Sequence, residues 1–310
     1  MGLLDELAGM FASPMMQRAL LAALMVGVAA PVMGTYLVQR KLSLLGDGIG
    51  HVALTGVALG WLVGALMGLV PQDALAIPGA VLVAVIGAVS IELVRERGRT
   101  SGDVALALLF YGGIAGGVLI IQLAGGQSTN LMSYLFGSIS VVTAADVVVT
   151  AALSALIIAV GVGLRTALFA VSQDEEFARA SGLPVRALNI AIAVMAALTV
   201  TVAMRVVGLL LVSALMIVPV AIAQLLTTSF ARTMALGSAI GTVICLAGLT
   251  LTYWYAVSPG AMIVVLAIAA YAVVAVLKPL AARLRPRPQR DPHPMVPADV
   301  MIEGDERCSA

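Results

Sequence analysis

Long apolar runs recur along the chain and alternate with short stretches that carry charged residues, glycine or proline. A helix needs about 20 mostly apolar residues to cross roughly 30 Å of membrane hydrocarbon. Runs of this length predict an all-α polytopic membrane protein with about nine membrane-spanning helices. The predicted spans lie near residues 18–38, 46–68, 75–95, 103–123, 145–168, 187–204, 208–227, 234–256 and 260–280.

Three parts of the chain fall outside this pattern. Residues 129–146 have an apolar middle that is too short and too interrupted by glycine and serine for a span, which favours a re-entrant or interfacial segment. Residues 1–15 are predicted to form an extracytoplasmic segment ahead of a transmembrane domain at 16–284. Residues 285–310 are rich in proline and charge, so we expect a disordered cytoplasmic tail.

Basic residues mark the cytoplasmic side, because short cytoplasmic loops are enriched in lysine and arginine. The connections at 69–75, 123–130 and 256–262 carry no positive charge and are predicted to lie outside. The alternate connections are basic, which places the N-terminus outside and the C-terminus in the cytoplasm. Arg205 is the exception, and its position is typical of a snorkelling or pathway residue. The basic set comprises Arg40, Lys41, Arg95, Arg97, Arg99, Arg179, Arg186, Arg232, Lys278, Arg283, Arg285, Arg287 and Arg290.

The composition narrows the class of function. The chain is 61% hydrophobic and 11% charged, with a mean hydropathy of +1.09, and its connections leave no room for a large extramembrane domain. This balance favours a transporter or channel, and the net charge of +1 gives no reason to expect nucleic-acid binding. The sequence contains neither a Walker-type phosphate loop nor a Rossmann glycine fingerprint, so we expect no ATP site and no enzymatic activity in this chain.

The stretch GDGIGHVALTG, residues 46–56, places two ionisable residues inside an apolar run. Asp47 and His51 are four residues apart, so they share one helix face and lie about 6 Å apart along the axis. A carboxylate and an imidazole suit Zn²⁺, Mn²⁺ or Fe²⁺, and a second copy of the chain would complete an Asp₂His₂ set. The alternative interpretation is that Asp47 caps the helix after Gly46 while His51 packs against a neighbour.

A second polar stretch, SQDEEFARASGLPVRALN at 172–189, has the pattern of a short cytoplasmic helix. Ser172 and Glu175 have the spacing of a capping box, and Gly182 with Pro184 is a typical helix end. The helix is amphipathic, with an apolar side that we expect to dock into a groove on a partner protein. The docking side chains are Phe177, Ala178 and Leu183.

Three segments together resemble the permease subunit of the metal-uptake branch of ABC importers, which carries zinc, manganese or iron. They are QRKLSLLGDGIGHVALTGVALG at 39–60, DEEFARASGLPVRALN at 174–189 and RVVGLLLVSALMIVPVAIAQ at 205–224. The similarity runs from about residue 16 to 280. It implies the cobalamin-importer permease fold, a homodimer in the bacterial plasma membrane, two cytoplasmic ATPase subunits and an extracytoplasmic metal-binding protein. No bound cofactor is implied, since the metal ion is the transported substrate.

The resemblance assigns the metal pathway to Asp47 and His51. It matches 208–219 to a later span of the family, where Ser213 offers a polar group and Pro219 is expected to bend the helix. Thr55 stands where the manganese-carrying members often have a proline, which favours zinc over manganese or iron.

The resemblance also makes 174–186 the ATPase-coupling helix, within a cytoplasmic element at 172–187. ATP-driven closure of the partner subunits would pull on this helix and rearrange the two transmembrane bundles. The residues assigned to this coupling are Asp174, Glu175, Glu176, Phe177, Ala178, Arg179, Ala180, Gly182 and Leu183.

Two other classes of protein fit the sequence less well. A secondary transporter driven by an ion gradient would need inverted repeats and intramembrane acid pairs, and the spans offer few acids for a proton relay. An intramembrane metalloenzyme would need a denser ligand cluster, whereas the chain has no HExxH motif and only two histidines.

Overall fold

The computed structural model describes residues 9–70, 72–97, 102–124, 134–138, 142–204, 207–209, 211–255 and 257–284. These residues form an all-α protein, which confirms the predicted fold class. A short 3₁₀ turn at Gln72–Leu75 precedes the third helix. The helices are α1 Pro14–Gln39, α2 Leu45–Leu66, α3 Ala76–Glu96, α4 Gly102–Leu123, α5 Ala144–Gly163, α6 Arg165–Gln173, α7 Glu175–Ala180, α8 Val185–Ala203, α9 Val212–Leu226, α10 Phe230–Trp254 and α11 Pro259–Leu284.

Eight helices in the described part of the chain are long and apolar enough to cross a membrane. The remaining predicted span, 208–227, is the shorter helix α9 of 15 residues, or about 22 Å at 1.5 Å per residue. The predicted span 145–168 divides at Leu164 into α5 and the shorter helix α6. The length of the apolar runs alone predicted neither the short α9 nor the division at Leu164.

Helix α2 lies at the centre of the bundle, packed against α3 and α4 and also against α8 and α9. On the other side, α1 packs against α10, α5 and α9. Small residues allow the close approach: a Cβ added to Gly113 of α4 would lie 2.5 Å from the His51 carbonyl carbon. The core therefore brings α2 and its polar pair into backbone contact with neighbouring helices.

The chain between α8 and α9 is not helical where the structure describes it. Gly208 has a φ of +86°, and the Leu209 amide donates to the Tyr134 carbonyl at 2.9 Å. Part of the predicted re-entrant segment thus packs on this break, since Tyr134 is buried there. Irregular backbone at membrane depth is tolerated where it is covered by protein in this way.

Several predicted features lie outside the described residues. The first eight residues, the tail from 285 to 310 and Arg205 are not described, and the segment 129–146 is described only at 134–138 and 142–146. Its last described part begins α5, where Thr143 and Asp146 form a capping box.

Candidate functional site

Asp47 lies in the first turn of α2, but it does not cap that helix. The helix begins after Leu44, whose side chain makes no capping hydrogen bond. Instead, the Ser213 hydroxyl of α9 donates to Asp47 Oδ1 at 2.6 Å. This bond joins residues 166 positions apart and ties the carboxylate to another helix, so the capping alternative for Asp47 is wrong.

His51 lies one turn further along α2 and is 5% exposed. Its ring meets Phe110 of α4 edge-on, with centroids 4.3 Å apart and planes inclined at 73°. Its Nδ1 atom is buried and has no hydrogen-bond partner among the described residues. Buried polar atoms are usually satisfied, so an imidazole nitrogen left open is suited to receive a ligand.

The pair lies near the middle of the bundle. Gly113, which contacts the His51 backbone, is eleven residues or about 16 Å into α4, roughly half of that 22-residue helix. Val200 of α8 and Leu209 both lie near Gly50, between the two ionisable residues. Along α2, Asp47 is about 3 Å and His51 about 9 Å from the helix start, so an ion held by the pair would lie inside the bundle in the first third of this helix.

One chain supplies an incomplete ligand set at this point. The part of the chain that the structure describes contains no group of three or more His, Cys, Asp or Glu residues able to hold a metal ion. Asp47 and Ser213 are half-buried, so each residue remains partly accessible. The arrangement can offer a carboxylate, an imidazole and a hydroxyl, fewer strong ligands than a divalent transition metal usually takes.

The polar segment 172–189 begins at the end of α6 and contains the separate short helix α7, which corrects the predicted capping. Ser172 belongs to the end of α6, where its hydroxyl donates to the Leu168 carbonyl at 2.7 Å. Asp174 is the actual N-cap of α7, and its carboxylate accepts from the amides of Glu176 at 2.9 Å and Phe177 at 3.0 Å. An aspartate in extended conformation is as good a cap as a serine, so the sequence alone could not choose.

The end of this segment agrees with the predicted stop. Gly182 has a φ of +80°, and its amide donates to the Arg179 carbonyl at 3.1 Å. The next amide, that of Leu183, donates to the Ala178 carbonyl at 3.1 Å. A left-handed glycine that closes a helix in this way turns the chain directly into α8.

The two faces of α7 differ. Phe177 is 65% exposed and points away from the bundle, whereas Ala178 is fully buried against it. The expectation that Ala178 docks on a partner is therefore wrong, because that face is already covered. Leu183 is half-buried against the core. The outward surface consists of Glu176, Phe177, Arg179 and Ala180.

Glu175 faces the bundle and meets three other elements. Its Oε1 accepts from Arg40 at 2.7 Å, from Arg95 at 2.8 Å and from the Asn189 amide at 3.2 Å. Burial acts to raise the pKa of Glu175, but the Arg95 and Arg40 cations outweigh it and hold the pKa below its ordinary value. Burial lowers the pKa of Arg40, and repulsion from Arg95 adds to this effect.

Sequence reasoning missed four residues that contact the candidate sites. Phe110 and Asn189 gave no signal, because an aromatic or amide residue in an apolar span has many ordinary roles. Arg40 and Arg95 were used only as markers of the cytoplasmic side. Their positions at the ends of α1 and α3, opposite an acidic helix, were the available clue to an ion pair.

Comparison with known proteins places this geometry in a family. The sequence profile of the ABC 3 transport family matches residues 12–278. The manganese transport system membrane protein MntC of Halalkalibacterium halodurans is 30% identical over 264 residues, which cover 85% of this chain and 87% of that protein. A probable iron transport system membrane protein of Haemophilus influenzae is 32% identical over 260 residues, covering 84% and 92% of the two chains.

A solved structure shares the fold. PsaBC from Streptococcus pneumoniae in complex with Fab superposes with a TM-score of 0.77 at 29% identity, covering 88% of this chain and 95% of that one. The family match covers α1 to α10, most of α11 and both candidate sites. The resemblance inferred from the sequence is thus confirmed, and the chain belongs to the ABC 3 transport family as a multi-pass membrane permease subunit whose ATPase is a separate subunit.

Proposed function

We propose that this permease imports divalent transition metal, with zinc as the favoured ion, through a homodimer in the bacterial plasma membrane. The observation that carries the proposal is the pair Asp47 and His51 inside the bundle, where His51 Nδ1 is buried and has no hydrogen-bond partner among the described residues. Buried ionisable residues in a membrane are costly and mark transport pathways. The names of the similar proteins, which transport manganese and iron, support a metal substrate.

The homodimer follows from the incomplete ligand set. Asp47 and Ser213 are half-buried on one side of the bundle, so a second copy on that side would bring a second carboxylate and imidazole to the same point. The shared site would then offer Asp₂His₂, a usual number of ligands for a transition metal. Binding there must remain weak enough for release, and an ion shared by two mobile subunits meets that requirement.

The mechanism has three steps in this proposal. An extracytoplasmic metal-binding protein docks on the outer loops and releases its ion to Asp47 and His51. Two cytoplasmic ATPase subunits hold the outward surface of α7, where Phe177 is 65% exposed, and close on ATP. Their closure moves the two bundles and opens the site to the cytoplasm, where the C-terminus is also placed.

The choice of metal rests on one residue. Thr55, one turn beyond His51, donates its hydroxyl to the Gly113 carbonyl at 2.8 Å, a contact that a proline at this position would lose. This threonine favours zinc, while manganese or iron remains the alternative that the names of similar proteins favour. An ion-gradient-driven carrier is disfavoured, because members of this family work with an ATPase subunit.

The test is uptake of radioactive zinc and manganese by cells that lack their own importers. Asp47→Ala and His51→Ala should each abolish uptake at equal expression, because either change removes a strong ligand. Ser90→Ala is the matched control, since that exposed hydroxyl donates only to the Ile86 carbonyl of its own helix. Full uptake by both site variants would overturn the pathway, and manganese uptake that zinc does not inhibit would overturn the choice of zinc.

A further inference from the structure

A partly buried ionic junction joins the coupling helix α7 to the membrane helices. It consists of Glu175 of α7, Arg40 at the end of α1, Arg95 and Glu92 of α3, and Asn189 of α8. Arg40 and Arg95 both contact the same Glu175 oxygen, at 2.7 and 2.8 Å. Arg95 also pairs with Glu92 at 2.8 Å. One carboxylate of a six-residue helix thereby contacts three transmembrane elements.

The positive and negative charges of the junction balance only while Glu175 remains in it. It holds two guanidinium groups and two carboxylates. The side chains of Arg40 and Glu92 are 4% and 3% exposed, whereas those of Arg95 and Glu175 are 29% and 37% exposed. Removing one partner from a buried ion pair leaves an uncompensated charge, which is strongly unfavourable. When α7 moves, Arg40 is therefore held to Glu175 and moves with it.

Arg40 is connected to the metal site through a very short stretch of chain. It directly follows α1, and α2 begins five residues later at Leu45. The Leu42 amide donates to the Leu37 carbonyl at 2.8 Å, and Lys41 has a φ of +58°. A left-handed non-glycine residue in a hydrogen-bonded turn leaves the connection between α1 and α2 little conformational freedom. A displacement of Arg40 is thus passed to the first turn of α2, which carries Asp47.

We propose that Glu175 is the positioning residue that transmits movement of α7 through Arg40 to Asp47, and that it does not contact the ATPase. This inference rests on the proposed function. The two faces of α7 have different roles: Glu176 and Phe177 are exposed and available to the partner, and Glu175 contacts the membrane helices. A cavity of about 850 Å³ separates part of α7 from α3 and α8, with Glu175 and Arg179 on one side and Arg95 and Asn189 on the other, and it gives the helix room to move.

The experiment compares Glu175→Gln with Glu176→Gln in complexes reconstituted with the ATPase subunit in liposomes. The two neighbouring carboxylates lose the same charge, but only Glu175 lies in the junction. Glu175→Gln should assemble with the ATPase and hydrolyse ATP, while zinc transported per ATP falls about tenfold, in the usual range of coupling between sites. Glu176→Gln should instead weaken association with the ATPase.

A second pair of variants separates coupling from folding. Arg40→Lys keeps the charge and should transport more zinc per ATP than Arg40→Gln at equal thermal stability. In the double variant Glu175→Gln with Arg40→Gln, zinc transported per ATP should fall no further than in the worse single variant. Both changes break the same contact between Arg40 and Glu175.

Three results would overturn the inference. They are loss of ATPase association in Glu175→Gln, normal transport per ATP in that variant, or additive losses in the double variant. Failure of the proposed function would look different, because the wild-type permease itself would then fail to bind the ATPase or to transport metal.

Discussion

At the scale of single residues, the candidate site depends on contacts that place two costly groups where they can act. The carboxylate of Asp47 is oriented by the Ser213 hydroxyl at 2.6 Å, and the imidazole of His51 is held edge-on by Phe110. The i, i+4 spacing in the sequence is enough to place Asp47 and His51 on one helix face. Ser213 was expected only as a polar group in a later span, because no local spacing connects residues 166 positions apart.

Ser213→Ala tests whether this hydroxyl orients the carboxylate. The variant leaves Asp47 Oδ1 without its donor, and hydrogen bonds to charged groups contribute about 1.5–3 kcal/mol. We expect the half-saturating zinc concentration to rise about tenfold, with less damage than Asp47→Ala causes. Uptake kinetics at equal expression give the measurement. If Ser213→Ala took up zinc with wild-type kinetics, an orienting role would be excluded. If it lost as much uptake as Asp47→Ala, Ser213 would be a metal ligand.

At the scale of elements, small residues decide how closely α4 approaches the site. Gly113 packs on the His51 backbone, and a Cβ there would lie 2.5 Å from the carbonyl carbon. The adjacent Gly112 is exposed and would place a Cβ in open space. The string YGGIAGG therefore contains one glycine that the site requires beside one that it does not.

Gly113→Ala and Gly112→Ala form a matched pair of substitutions. The first must push α4 away from α2, and overpacking of this kind typically costs about 1–3 kcal/mol. The second should be neutral or slightly stabilising, because alanine is the better helix former. Thermal unfolding in detergent and zinc uptake measure both effects. Equal behaviour of the two variants would show that α4 does not pack directly on the His51 backbone.

The junction of α7 also has a definite dependence on pH. Burial acts to raise the pKa of Glu175, but Arg95 and Arg40 outweigh it, so the folded-state pKa lies below the ordinary value. A carboxylate of this kind stabilises the fold fully above its unfolded pKa, about 4.3, and loses that contribution as pH falls through the folded value. The groups that face it are Arg40 of α1, Arg95 and Glu92 of α3, and Asn189 of α8.

A spin label on Ala180→Cys, an exposed residue of α7, follows the docking of this helix. Replacing Cys308 by serine leaves only the buried Cys245 as a native thiol. We expect the label's mobility to stay constant from neutral pH down to about 5 and to rise only below the ordinary carboxylate range. In Glu175→Gln the label should be mobile at every pH. Release of the helix between about pH 6 and 7 would contradict the lowered pKa of Glu175.

At the scale of the whole molecule, apolar length predicted the membrane bundle, because each crossing must satisfy its backbone internally. The predicted spans 187–204 and 208–227 separate α8 from α9. Apolar length did not predict that α9 begins only at Val212, since the sequence VVGLLLV at 206–212 is apolar throughout and only Gly208 interrupts it. It also did not locate the start of α7, where Ser172 and Asp174 are equally good caps. The junction around Glu175 was missed because ion pairs between distant helices leave no periodic signal.

The last prediction concerns the orientation of the bundle. The basic connections place the C-terminus inside and the α2–α3 connection outside. Val70 in that connection is 96% exposed, whereas Cys245 is fully buried and should not react. A membrane-impermeant maleimide should therefore label Val70→Cys in intact cells, with Cys308 replaced by serine. In the otherwise native chain, Cys308 should react only after the membrane is opened. The reverse labelling pattern would show the opposite membrane orientation, with α7 outside the cell and out of reach of a cytoplasmic ATPase.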